Sequence, residues 1–317
     1  NATLIERNIN ILKDNGIEEI VIVIGYQGEE IKDKLNDSSI IFVENDNFKW
    51  SGTMASLAIT RDYISEDFIL VEGDIVIEKS GIEEIINYPC RDCVLITSES
   101  GSGDEAFVEI RDNKIHKISK DIAQLNKIDG EMIGISKISF EFFKKMMQAY
   151  KFNKNPYMNY EYMMLDISRT YSLGYVKVDN LLWHEIDNKK HYEYVTNILL
   201  KRIEKKENSI YLENLKDIIC NSMNISADRI NKIYPIGGMT NNNYKIEIDN
   251  KYYVLRVPGK GTEDMISRED EIKNAIYADE IGINCRVVYF NKESGVKISK
   301  FIENAQTLSP ESTKSQN

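Results

Sequence analysis

Apolar residues recur along the first part of the chain in two alternating rhythms. Over 3–16 they fall at Leu4, Ile5, Ile9 and Leu12, one face of a helix, with Thr3 and Glu6 forming a capping pattern and Gly16 a stop. Over 19–25 the run Glu-Ile-Val-Ile-Val-Ile-Gly is nearly continuous and β-branched, as in a strand covered on both faces. A helix over 28–35, a strand over 40–43, a helix over 53–63 and a strand over 68–71 continue the alternation, which predicts an α/β fold around a doubly wound, mostly parallel sheet. From 93 to 136 the pattern shortens to strands, with Gly101-Ser102-Gly103-Asp104 as a loop. Helices over 139–151 and 159–171, strands over 175–178 and 181–185 and a helix over 189–204 follow. The charged stretch 201–208 reads as a linker or a frayed helix end. Beyond it come a helix over 210–222, strands over 244–248 and 252–257 joined by an Asp249-Asn250 hairpin turn, and a helix over 263–281. Two domains are expected, 1–204 and 205–308, and a small polar tail, 309–317, expected to be disordered.

Composition narrows the function classes. A chain of 317 residues with 42% hydrophobic and 29% charged residues is long enough for two ordinary globular domains. No run approaches the roughly 20 apolar residues of a membrane helix, and no basic segment precedes an apolar one at the N-terminus, so no membrane association and a cytoplasmic location are expected. The net charge of −11 argues against a broad nucleic-acid surface, which needs clustered Lys and Arg. Of four cysteines, Cys90 and Cys93 form a C-x-x-C without a second ligand pair, and His116, His184 and His191 are scattered. Buried thiols are therefore expected rather than a structural zinc.

Sheets of this type bind ligands at the carboxyl ends of their strands, where Asn45, Asp46, Glu72, Gly73 and Asp74 fall. Asp187 follows the strand over 181–185 and can also cap the next helix. Two strand-end carboxylates suit a Mg²⁺ held by one or two carboxylates and substrate phosphates, although each alone could be only a turn or cap residue. Ser51-Gly52-Thr53 offers free N–H groups at a helix start, or a plain cap.

Taken in order, Leu4-Ile5-Glu6, Ile24-Gly25-Tyr26, Asn45, Ser51-Gly52-Thr53, Gly73-Asp74 and Glu185-Ile186-Asp187 resemble the sugar-phosphate-type nucleotidyltransferases. Specifically, they are similar to the Lic-type CTP:phosphocholine cytidylyltransferases and their 2-aminoethylphosphonate relatives, from residue 1 to about residue 200. The resemblance implies a Rossmann-like nucleotidyltransferase domain in which Asp74 and Asp187 hold Mg²⁺ and are catalytic. It also implies substrate contacts from Gly52, Thr53, Ser56, Glu105 and Glu185, with Gly52 and Thr53 near the cytidine. The implied reaction is attack of a phosphocholine oxygen on the α-phosphorus of CTP, giving CDP-choline and pyrophosphate through positioning and charge neutralisation. Family members open with a strand, a glycine-rich loop and a lysine that hold the triphosphate. A chain that starts at the following helix is expected to lack them and to turn over poorly.

The trimethylammonium group needs a carboxylate or an aromatic face. Glu105 falls where Lic-type enzymes place an acid, but Ala106 stands in the place of the tryptophan, which favours a primary amine such as 2-aminoethylphosphonate. Tyr157, Tyr160 and Tyr162 could supply rings, or simply pack in the core.

In the second domain, the turn 237–244 (Gly-Gly-Met-Thr-Asn-Asn-Asn-Tyr) lies between strands and lets backbone N–H groups approach phosphate oxygens. With Tyr253-Val254-Leu255-Arg256 and the acidic helix start Arg268-Glu269-Asp270-Glu271, it resembles the ATP-binding end of choline/ethanolamine-type kinases over 225–305. That resemblance implies a small α+β kinase-like lobe in which Gly237, Gly238, Thr240 and Asn241 cover ATP. Arg256 would replace the phosphate-pairing lysine and Glu271 would pair with it. The family's catalytic H-x-D-x-x-x-x-N segment is expected after Ala305, where twelve residues remain, so this lobe is expected to bind ATP without phosphorylating choline. The rival from another class is a nucleotide-binding scaffold without turnover.

Overall fold

A computed structural model of the chain describes residues 2–35, 37–98, 106–238, 240–259, 262 and 266–304. The chain divides into two compact units, Asn1–Glu207 and Asn208–Asn317.

The first unit opens with α1 (Leu4–Asp14), whose capping box pairs the Thr3 hydroxyl with the Glu6 amide and the Glu6 carboxylate with the Thr3 amide. β1 (Ile20–Ile24), α2 (Gly28–Leu35) and β2 (Ile40–Glu44) follow, with β1 and β2 pairing in parallel. Then come α3 (Thr53–Ala58), β3 (Phe68–Val71), β4 (Ile75–Ile77), α4 (Lys79–Asn87), β5 (Cys93–Thr97), β6 (Ala106–Arg111), β7 (Lys114–Ser119) and β8 (Gly130–Ile138). α5 (Phe140–Tyr150), α6 (Tyr160–Ser168), β9 (Gly174–Lys177), β10 (Trp183–Glu185) and α7 (Lys189–Tyr194) complete its core elements. A six-stranded sheet runs β7-β6-β8-β5-β9, with β3 also on β8. β5 and β9 are parallel, whereas β3, β5 and β6 meet β8 antiparallel. The α/β class read from the alternation holds, with a mixed sheet: β5–β9 and, separately, β1–β2 are parallel, while the hairpins around β8 make its other pairings antiparallel.

The continuous apolar run of β5 is explained by burial on both faces. Val94 and Ile96 pack in one cluster with Phe142, Phe143 and Met146 of α5 and Met163 and Met164 of α6. Cys93 and Leu95 pack in the opposite one with Ile11 of α1 and Ile82 and Ile85 of α4.

Three expectations are corrected. The helix expected over 53–63 stops at Ala58, and the Thr60 hydroxyl turns back to donate to the Leu57 carbonyl at 2.7 Å. The stretch 201–208 is not a frayed end, and where it joins the two units, at Glu207/Asn208, it does so as helix rather than as an irregular linker. It lies inside α8 (Leu200–Met223), because Lys, Arg and Glu are strong helix formers, and Ile203 is buried with Val195 and Leu199. Of the four thiols only Cys93 is buried; burial pushes it up to about 12, while Cys90, Cys220 and Cys285 are partly open.

In the second unit β11 (Ile230–Pro235), β12 (Asn241–Ile248), β13 (Lys251–Pro258), β14 (Val287–Phe290) and β15 (Lys297–Lys300) form an antiparallel sheet in the order β11-β12-β13-β15-β14, accompanied by α9 (Arg268–Glu280) and the end of α8. Its core joins Ile246, Leu255 and Ile298 to Leu215 and Ile219 of α8. Asp249 and Asn250, at φ 46° and 60°, make the hairpin turn between β12 and β13. α9 begins at Arg268, with the Ser267 hydroxyl capping the Asp270 amide, later than the helix expected from 263; residues 263–265 are outside the described set. The expected tail, 309–317, also lies outside it. Among the described residues no helix is long and apolar enough to cross a membrane.

Candidate active site

At the carboxyl end of β3 the chain turns through Glu72-Gly73-Asp74 into β4. β4 pairs antiparallel with β10, placing Ile75 opposite Glu185, and the Ile186 amide donates to the Asp74 carbonyl at 2.9 Å. This short two-stranded pairing brings Asp74 next to Glu185 and Asp187, far apart in sequence. All three line a cavity of about 360 Å³. Thr53, Ala106 and Asn159 border it, as do Lys120 and four residues whose packing shapes its wall, Met132, Gly134, Tyr160 and Glu161.

Its charge is unbalanced. Among the described residues, Glu72, Asp74, Glu161, Glu185 and Asp187 place five carboxylates on the lining against one ammonium, that of Lys120. The packing around Asp74 lifts its carboxyl above the usual range, and the charge of Asp187 adds to the lift. Burial pushes Glu72 up to about 7, with the charges of Asp74, Glu161 and Glu185 acting in the same direction against the neighbouring Tyr160 hydroxyl. Glu161, only 7% exposed, is raised by burial. Among the described residues no group of three or more His, Cys, Asp or Glu side chains is arranged to hold a metal ion, so a divalent cation at this wall would rest on one or two carboxylates and complete its shell with water and phosphate oxygens. Asp187 also keeps Oδ2 3.2 Å from His191 Nδ1.

The Gly52-Thr53 step is built by close backbone approach. A Cβ on Gly52 would stand 2.4 Å from the Met158 carbonyl oxygen, so only glycine fits between α3 and the 157–158 backbone. The Thr53 hydroxyl accepts from the Tyr160 amide at 3.1 Å, which ties the start of α3 to the start of α6 and places Thr53 on the cavity wall. Ser56 is elsewhere: its hydroxyl accepts from Asn45 Nδ2 at 3.0 Å, and it does not line this cavity. Glu105 lies outside the described residues, while Ala106 borders the cavity. Of the three candidate tyrosines, Tyr157 is exposed, Tyr162 does not line the cavity and Tyr160 is a core residue, 2% exposed. The Tyr160 hydroxyl lies beside Glu72 and Ser136 without closing a well-formed hydrogen bond.

Sequence reasoning did not single out Lys120, Asn159, Glu161 or Gly134. Only Gly134 left a signal, a glycine inside an apolar strand. It sits at φ 62°, and a Cβ there would lie 2.4 Å from Glu72 Oε2, so its missing side chain is the space the Glu72 carboxyl occupies. A second cavity, about 670 Å³, includes Asn45, Trp50, Ser51 and Met147. Its one carboxylate, Asp62, is 3.5 Å from Arg61, so it lacks the charge pattern of the first.

In the second unit, Gly237 (φ 79°) and Gly238 make a turn in which a Cβ on Gly238 would meet the Asn241 carbonyl, and Asn243 Nδ2 donates to the Gly237 carbonyl at 2.8 Å. Thr240 Oγ1 accepts from Asn241 Nδ2 at 3.3 Å. Arg256 on β13 forms an ion pair with Glu271 on α9.

The first unit has an α/β fold shared with solved nucleotidyltransferases. The inositol-1-phosphate CTP transferase of T. maritima superimposes with a TM-score of 0.53 at 21% identity, covering 63% of this chain and 83% of that one. No established family profile matches the chain. Its curated relatives include protein LicA of Haemophilus influenzae, 39% identical over 74 residues (23% of this chain, 22% of LicA). They also include CTP:phosphoglutamine cytidylyltransferase of Campylobacter jejuni, 23% identical over 169 residues (48% of this chain, 66% of the relative). The match thus spans about a fifth of LicA and just under two thirds of the Campylobacter enzyme.

Proposed function

We propose that the first unit transfers a cytidylyl group from CTP to phosphocholine, giving CDP-choline and pyrophosphate. The carrying observation is the cavity that joins Asp74 and Asp187 with Lys120 and three further carboxylates. In this reading Thr53 and the start of α3 bind the nucleotide, and Lys120 receives the acceptor's phosphate. Glu161 and Glu185 face its ammonium group. Asp74 and Asp187 would hold a Mg²⁺, which would supply charge neutralisation at the α-phosphate. A phosphate oxygen of the acceptor forms the new bond to the α-phosphorus as the bond to the bridging oxygen breaks and pyrophosphate leaves. The acceptor phosphate is already anionic at neutral pH, so the protein's task is alignment and charge balance rather than deprotonation. The names of the cytidylyltransferase relatives agree with CTP as donor.

The second reading is 2-aminoethylphosphonate as acceptor, which Ala106 favours: on the cavity wall it offers no aromatic face to a quaternary ammonium, whereas carboxylates suit a primary one. For the second unit, the glycine turn and the Arg256–Glu271 pair support a kinase-like, ATP-binding lobe. Incubating the protein with CTP, Mg²⁺ and each acceptor, and following pyrophosphate, tests the proposal. Release with phosphocholine is expected. Release with aminoethylphosphonate alone would overturn the choline assignment, and none with either would overturn transfer in favour of a binding scaffold.

A further inference from the structure

Arg256 and Lys297 stand directly opposite each other on the antiparallel strands β13 and β15, so their side chains leave the sheet on the same face. Both reach Phe290, with the guanidinium carbon 5.4 Å and the ammonium nitrogen 5.8 Å from the ring centre. Arg268 joins the group through Glu271, at 3.0 Å, and donates to Thr262 Oγ1 at 2.6 Å. Glu271 is also the carboxylate that pairs with Arg256, so two of the three cations share one anion and Lys297 has no ion pair with a described residue.

The donors are not equally committed. Arg256 gives Nη1 to Glu271 and Nη2 to the Gly295 carbonyl at 2.9 Å, while its Nε is buried with no partner among the described residues. Lys297 is half-buried and forms no ion pair with a described residue. Burial, and then the charge of Arg256, hold its ammonium below the ordinary lysine range, with Glu271 and Cys285 acting the other way. Partly buried cations in excess of their carboxylates are unfavourable unless an anion joins them. Glu271 braces Arg256 from one side, which leaves its Nε and the Lys297 ammonium as the donors without partners.

We propose that the second unit holds the phosphate chain of a nucleoside triphosphate between Lys297 and Arg256 Nε, with Lys297 as the cation that anchors it. The proposal rests on the ATP-binding reading of this unit and changes which residue carries it out: Arg256 becomes the braced partner and the neighbouring strand supplies the free charge.

The test is acylation of lysines by a limiting amine-reactive ester on the full chain, resolved by mass spectrometry with and without ATP or tripolyphosphate. At ligand about five times its Kd, labelling of Lys297 is expected to slow about six-fold, while the exposed Lys300 on the same strand keeps its rate. Equal protection by both ligands means that the phosphate chain suffices, and stronger protection by ATP means that the nucleoside adds contacts; both outcomes sustain the proposal. Hydrogen exchange over 241–258 provides the independent readout of ATP on this unit. Slower exchange there with an unchanged Lys297 rate overturns the lysine assignment and leaves the ATP-binding reading standing. No change in either overturns both. Equal slowing of Lys297 and Lys300 overturns it as well. Lys297→Gln is expected to weaken tripolyphosphate binding at this unit about ten-fold, the loss of one charged contact of roughly 1.4 kcal/mol.

Discussion

Asp74 and Glu72 occupy neighbouring positions on one turn, yet they are set up for different work. Asp74 lies next to Asp187 on the cavity wall, and in the proposed reading the two share a divalent cation. Replacing it by Asn is expected to lower Mg²⁺-dependent pyrophosphate release roughly 100-fold or more, with little change in melting temperature. A variant within two-fold of the parent rate would remove Asp74 from the catalytic set. Glu72 is turned inward, into the space left by Gly134. Its folded-state value of about 7 lies above the ordinary 4.5, so folding favours the protonated form. The resulting stabilisation is complete below about pH 4.5 and is lost as pH rises through about 7. Without metal, Glu72→Gln should therefore be more stable than the parent above pH 7, by about 2–3 kcal/mol at most, and gain nothing near pH 4. Denaturant melts in EDTA across that range check the sign; a variant equally stabilised at both ends contradicts it.

At the level of elements, the site depends on two contacts between short segments. β4 meets β10 through three residue pairs, and this brings Asp74 and Asp187 to one cavity. α3 meets α6 through the Thr53–Tyr160 bond, across the gap that Gly52 keeps open. Gly52→Ala must push α3 away from the 157–158 backbone. A stability loss of about 1–3 kcal/mol is expected, together with a raised KM for CTP. Thermal melts and initial-rate kinetics check both parts, and an unchanged KM with lowered stability would confine Gly52 to packing. The elements themselves were largely legible: β-branched runs and capping residues located β1, β2, β3 and α1 closely. α3 was overextended, because its apolar spacing continues past Ala58 while the Thr60 hydroxyl closes the turn. The charged stretch 201–208 does hold the boundary between the two units, but its helical form is hidden in the sequence because strong helix formers without an evident apolar face look irregular until Ile203 finds its partners.

For the whole molecule, two sets of buried residues make two centres of stability, one around β5 and β8 and one around β12, β13 and β15. Calorimetry is expected to require two transitions. CTP with Mg²⁺ should raise the one reported by Trp50 and Trp183, the chain's two tryptophans, both in the first unit. A single transition, or one that CTP leaves in place, contradicts this. By itself the sequence determined the alternation of strands and helices, the hairpin at Asp249-Asn250 and the strand-end positions of Asp74 and Asp187, because each depends on local periodicity or on turn chemistry within a few residues. Only the tertiary structure decided which carboxylates share a cavity, that Lys120 and Glu161 belong to it, that Ser56 does not, and that Lys297 stands opposite Arg256. Those facts are distances between residues remote in the chain, and neither hydropathy nor spacing along the chain encodes them.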